Sequence, residues 1–154
     1  MREFGNLFSR VVSIEIPQPL RDGEIRAMWV DKSRRTMEIE IWMRQLMAKS
    51  ILSTVEGHLA EKLGIERASL LPRYPGELFG SDYLPELVSA VKRQGALVNG
   101  FFDDAKADYR DGLLRIYLSH GGYDLLKKIG CDRMLRQVIR EEFGLEVVVE
   151  FDGV

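Results

Sequence analysis

The sequence predicts an α+β fold made of two similar strand–strand–helix–strand lobes. This is a two-layer sandwich of KH-like or related type, and the likeness of the lobes suggests internal duplication. Three observations predict it. Two short segments alternate at the period of a half-buried strand: Met37, Ile39 and Ile41 against Glu38 and Glu40, then Leu114, Ile116 and Leu118 against Leu113, Arg115 and Tyr117. Each is followed by an amphipathic helical stretch that stops at a glycine, Gly64 or Gly144, where a C-cap needs left-handed backbone. Finally, blocks recur. MEIEI at 37–41 answers LRIYL at 114–118, and EKLGIE at 61–66 answers EEFGLE at 141–146. The lobes are expected at 1–75, with an N-terminal extension over 1–23, and at 76–154.

In the extension, Phe4, Leu7, Phe8 and Val11 fall at helical spacing, and Pro17 and Pro19 are expected to end that helix. Asp22-Gly23 marks a turn. Glu24 to Asp31 reads as a strand with Ile25, Ala27 and Trp29 on its more apolar side and Arg26, Met28 and Val30 opposite. The turn Lys32-Ser33-Arg34-Arg35 joins it to the strand Thr36–Trp42 as a hairpin. From Met43 to Leu63 the period changes. Met47, Ile51, Val55, Leu59 and Leu63, widened by Leu46 and Leu52, predict one long helix. Ile65 to Leu71 is the third strand.

The connector PRYPGELFG at 72–80 leads into the second lobe. Ser81 and Asp82 can cap a helix carrying Leu84, Leu87, Val88 and Val91, with Pro85 in its first turn. Ala105 to Arg110 and Leu113 to Ser119 form a second hairpin around Asp111-Gly112, a pair that tolerates positive φ. His120-Gly121-Gly122 opens a helical region that breaks near Gly130, and Leu135, Val138, Ile139 and Phe143 form its second apolar stripe. Leu145 to Phe151 closes the lobe. Arg67 and Ser69 stand where Val147 and Val149 stand in the second copy, so the third strands are expected to differ.

Composition bounds the function classes. With 45% hydrophobic and 30% charged residues in 154, the chain is too apolar for disorder and long enough for a real core. A formal net charge of −2, with no strong positive excess in either half, disfavours binding driven by the phosphate backbone. No apolar run reaches the ~20 residues that span a bilayer, and the N-terminus lacks signal-peptide pattern. The single Cys131 excludes an internal disulfide and fits a reducing, cytoplasmic location.

Candidate chemistry is sparse. His58 and His120 lie in different lobes without partners at metal-ligand spacing, so no metal site is expected. Asp103, Asp104, Asp108 and Asp111 form the densest acidic group; a metal-dependent nuclease built on the first three is the weakest reading, because turns carry such acids routinely. Gly121, Gly122 and Lys127 suggest an anion-binding helix start, yet match neither a P-loop nor the GxxG loop of a KH domain. Lys32, Arg34 and Arg35 on a hairpin tip could touch phosphate, with Trp29 or Trp42 stacking a base. No set supports a nucleophile. Neither catalytic residues nor a cofactor site are expected in the chain itself.

Four blocks carry a family resemblance: LPRYPGELFGSDYLPELV (Leu71–Val88), LVNGFF (Leu97–Phe102), LSHGGYDLLK (Leu118–Lys127) and EEFGLEVVVEFDG (Glu141–Gly153). Through them the sequence resembles the N-terminal region of the PolC-type DNA polymerase III α subunit, the replicative polymerase of low-GC Gram-positive bacteria. The resemblance implies a parent DNA-directed DNA polymerase, needing Mg and carrying a 3′–5′ exonuclease. Their carboxylates lie beyond Val154, so none maps onto this chain. It further implies a non-catalytic accessory role in DNA replication, in contact with replisome proteins such as the clamp-loader tau subunit. The alternative is a KH-like nucleic-acid-binding module using the basic turn 32–35.

Overall fold

The computed structural model describes residues 2–10, 14–96, 98 and 100–153. The chain is α+β and divides into two compact units, Met1–Leu78 and Phe79–Val154, with the division inside the Pro- and Gly-rich connector.

The first unit holds a four-stranded sheet in the order β1-β2-β3-β4, formed by Arg2–Glu3, Glu24–Asp31, Thr36–Trp42 and Arg67–Arg73. β2 and β3 form the expected hairpin, and β4 returns parallel to β3, with Thr36 beside Arg67 and Trp42 beside Arg73. Between them runs α3 (Lys49–Leu63), after the short helices α1 (Phe4–Phe8) and α2 (Gln18–Arg21). α3 packs on β4 and buries Leu52, Val55 and Leu59, while Met37, Ile39 and Ile41 are buried on β3. Phe4, Phe8 and Leu20 are also buried.

Several expectations here are corrected. Pro17 and Pro19 do not merely stop a helix; they open α2, because a proline lacks only an amide that a helix start leaves unbonded anyway. Val11 lies outside the described residues. α3 begins at Lys49 instead of Met43, since the Met43 amide bonds to Arg73 O and extends the sheet edge. Met43 and Met47 are buried from this loop. The buried face of α3 is turned accordingly: Ile51 and Leu63 are 42% and 41% exposed. β4 runs two residues later than expected at each end and contains Pro72, which an edge strand tolerates.

The second unit repeats this topology. β5 (Lys106–Arg110), β6 (Leu113–Leu118) and β7 (Val148–Gly153) pair in that order, antiparallel and then parallel. Before them stand a 3-10 turn at Ser81–Tyr83 and α4 (Leu84–Arg93), with Pro85 in the first turn of α4. The β6–β7 crossover contains α5 (Tyr123–Lys128) and α6 (Cys131–Phe143), separated by Gly130 in left-handed backbone. Leu114, Ile116, Leu135, Val138, Ile139 and Phe143 are buried.

Register corrects one detail of the repeat. Met37 pairs with Ala68 and Leu114 with Val149, so the buried Ala68 and Leu70 correspond to Val149 and Phe151. The second crossover is thus one residue longer than the sequence blocks imply. The third strands are alike in what they bury.

Candidate interaction surface

The face of the first sheet turned away from α3 is built by parity and by one irregularity. Since Met37, Ile39 and Ile41 point inward, Glu38, Glu40 and Trp42 point outward. On β2 the register breaks between Ile25 and Ala27, leaving Arg26 as the extra residue of a bulge. Up to Ile25, paired with Ile41, the strand faces as expected. Beyond the bulge every side chain is flipped: Ala27 and Trp29 lie opposite Glu40 and Glu38 on the outward face, while Met28 and Val30 turn to the Ile39 and Met37 side.

The expectation that Trp29 lies on the buried face is therefore corrected. Trp29 is 51% exposed and Trp42 is 48% exposed, both on the same open face. Trp29 stands beside Glu38, four positions before Trp42, so the indoles are rooted about 13 Å apart along the sheet. The Arg26 guanidinium lies over Trp42, 4.7 Å from the ring centroid, and also meets Glu24 at 3.0 Å. Arg73 Nε meets Glu40 at 3.4 Å. The result is a platform of two half-open indoles among alternating charges of both signs.

The basic turn is largely committed to its own structure. The Asp31 carboxylate accepts from the Ser33 hydroxyl at 2.8 Å and the Arg34 amide at 3.1 Å; these bonds hold its pKa below the usual carboxylate range. Arg34 Nε stands 3.8 Å from Asp31. Arg35, at φ 56°, donates from its guanidinium to the Gly64 carbonyl at the end of α3, and its own carbonyl accepts from Glu66. Lys32 is exposed and lines a cleft with Val30, Met37, Leu63 and Ile65.

The Gly pair is placed by architecture. Gly122 has φ 92°, and a Cβ there would come within 2.5 Å of the Phe101 ring. Gly121 and Gly122 precede α5, whereas Lys127 sits in its last turn and reaches Asp132 at 3.4 Å. The three residues do not converge on one point. Asp111 is a turn residue at φ 51°, Asp108 meets Arg110 at 3.3 Å, and Asp104 meets His120 Nε2 at 3.0 Å. Among the described residues no group of three or more His, Cys, Asp or Glu could hold a metal ion. No helix among them is long and apolar enough to cross a membrane. Cys131 is fully buried, and desolvation, aided by Asp132, pushes its thiol up to about 11.

Sequence reasoning missed the exposure of Trp29 because the bulge leaves no periodic signature. For Trp42 the signal was present, since it shares parity with Glu38 and Glu40.

No family model matches the chain, and no curated protein matches it. Among solved structures it is similar to the PrgH periplasmic domain, at 11% identity and a TM-score of 0.27, over 97% of this chain and 64% of that one. The chain thus spans less than two thirds of that domain, and a likeness at this level carries no argument.

Proposed function

We propose that the chain is a non-catalytic protein-docking module, the N-terminal accessory part of a PolC-type replicative polymerase, contacting replisome proteins such as the tau subunit. The observation that carries the docking reading is the pair Trp29 and Trp42, half-exposed on one open sheet face with Arg26 laid over one of them. Tryptophan and arginine are the side chains that dominate protein–protein hot spots. The resemblance of four sequence blocks to PolC-type polymerases supports the parentage, and with it a cytoplasmic setting.

Single-stranded nucleic acid is the rival occupant of such a platform, because indoles stack on bases. The charges around the indoles favour protein. Glu38 and Glu40 stand on the same face as Trp29 and Trp42, where a phosphate backbone would have to run, and the Arg35 guanidinium is bonded to the Gly64 carbonyl.

Calorimetric titration of the chain with purified tau, and separately with an oligothymidylate at low and high salt, tests the reading. Heat of binding to tau that changes little with salt agrees with it. Binding only to the oligonucleotide, falling steeply with salt, would transfer the platform to nucleic acid.

A further inference from the structure

We infer that Trp29 and Glu38 together receive an arginine side chain of the partner protein, its guanidinium laid on the indole and bonded to the carboxylate. This rests on the protein-docking reading of the same face and names the group that the partner brings to it.

The hairpin of β2 and β3 carries two cross-strand pairs of a tryptophan with a glutamate: Trp42 stands opposite Glu24, and Trp29 stands opposite Glu38. Both pairs lie on the outward face, since Trp42 shares parity with Glu38 and the bulge at Arg26 turns Trp29 to that side. Directly opposed side chains are rooted about 4.5–5.5 Å apart, so the indole and carboxylate of such a pair can hold one cation between them.

The first pair does so within the chain. The Arg26 guanidinium lies 4.7 Å from the centroid of Trp42 and 3.0 Å from the Glu24 carboxylate. The second pair has the same two groups, and the described residues supply it with no cation. Glu38 makes no ion pair among them, whereas its acidic neighbours on this face do: Glu40 meets Arg73 at 3.4 Å and Asp31 meets Arg34 at 3.8 Å. Ser69, beside Glu38 on β4, brings no charge. Glu38 and Trp29 are both exposed. Their side chains rise from the face of the sheet, so a strand running beside β2 would leave them open.

Charge and shape choose the occupant. A carboxylate next to an indole attracts a cation and repels phosphate or another carboxylate. Arginine suits the pair better than lysine. Its planar guanidinium stacks on an aromatic ring while its N–H groups reach a carboxylate, and it is more weakly hydrated than an ammonium.

The probe is N-acetyl-arginine amide, added to the full ¹⁵N-labelled chain at constant ionic strength, with the two indole N–H signals as readout. A single exposed contact is weak, so the titration runs to about 0.3 M. The Trp29 signal should shift about threefold further than the Trp42 signal, whose pair Arg26 already fills. The citrulline and lysine analogues should each move Trp29 less than about half as far, and Glu38→Gln should remove about half or more of the arginine response. In Arg26→Ala the Trp42 signal should begin to follow the probe as Trp29 does. A still Trp29 signal, an equal response to either analogue, or an undiminished response in Glu38→Gln overturns the inference. Titration of tau separates the two levels. Glu38→Gln should weaken tau binding about fivefold or more. Tau binding that falls in Trp29→Ala but not in Glu38→Gln keeps the docking face and overturns the arginine site. A selective probe response without any tau binding keeps the site and overturns the docking reading.

Discussion

The Tyr83 hydroxyl donates to Glu142 Oε1 across 2.5 Å, joining the turn before α4 to the last turn of α6 where both side chains are buried. Edge-to-face packing of Tyr83 and Phe79 on Phe143, with ring centroids 4.9 and 5.1 Å away, surrounds the bond with aromatic groups. Such a bond matters more for what its loss would strand than for its net strength. Tyr83→Phe keeps the ring packing and removes one partner of a buried carboxylate, so it should lower stability by about 1–3 kcal/mol in a urea melt. A loss within about 0.5 kcal/mol, the ordinary effect of a surface change, would show the bond to be dispensable.

The corresponding polar fastening in the first unit is Glu56, whose carboxylate accepts from the Leu70 amide at 2.6 Å. A charged acceptor makes this a stronger bond than a neutral pair. Glu56→Leu should cost about 2–3 kcal/mol, and Glu56→Gln, which retains an acceptor, distinctly less. Equal losses in thermal melts would mean that the packing of the side chain, and not the bond, fastens α3 to β4.

Gly122 is constrained twice, by a φ of 92° and by Phe101, while Gly144 has φ 66° and open space around the missing Cβ. Gly122→Ala should therefore destabilise by more than the ~1 kcal/mol expected of Gly144→Ala. Phosphate in the buffer should protect neither variant, because the Gly pair is a turn device here and Lys127 is drawn toward Asp132.

Cys131 should behave as an inert core thiol. With its pKa raised from 9.0 to about 11 by burial, it holds its proton in the folded state where the unfolded chain has released it. The contribution to stability is thus complete below pH 9 and is lost as pH climbs toward about 11. Denaturant melts across this range should fall less steeply for Cys131→Ala than for the parent chain. A disulfide-exchange reagent at pH 8 should label Cys131 only after unfolding.

How far the fold can be read from the sequence depended on whether local pattern and tertiary demand agreed. β3 and β6 were legible because strict alternation on a half-covered sheet allows one register only. The Asp111-Gly112 hairpin and the caps at Gly64 and Gly144 were legible from positive-φ chemistry. The start of α3 was not. Met47 stands one helical turn before Ile51, yet it is buried from a loop, with its carbonyl accepting from the Tyr74 hydroxyl at 3.4 Å. Periodicity cannot tell an apolar residue on a helix from one merely adjacent to it. The candidate surface failed for a different reason. One extra residue at Arg26 inverts the facing of Trp29, and only pairing with β3 reveals that residue.

On the proposed function, the outward face of the first sheet docks a protein through Trp29 and Trp42. Titrating purified tau into the parent chain and into Trp29→Ala and Trp42→Ala, with matched thermal melts, tests it most directly. Both indoles are about half exposed, so the melts should move little. Binding should fall by about 2 kcal/mol or more for each, roughly 30-fold in Kd. Equal affinity in all three chains, or no affinity of the parent chain for tau, would contradict the proposed docking.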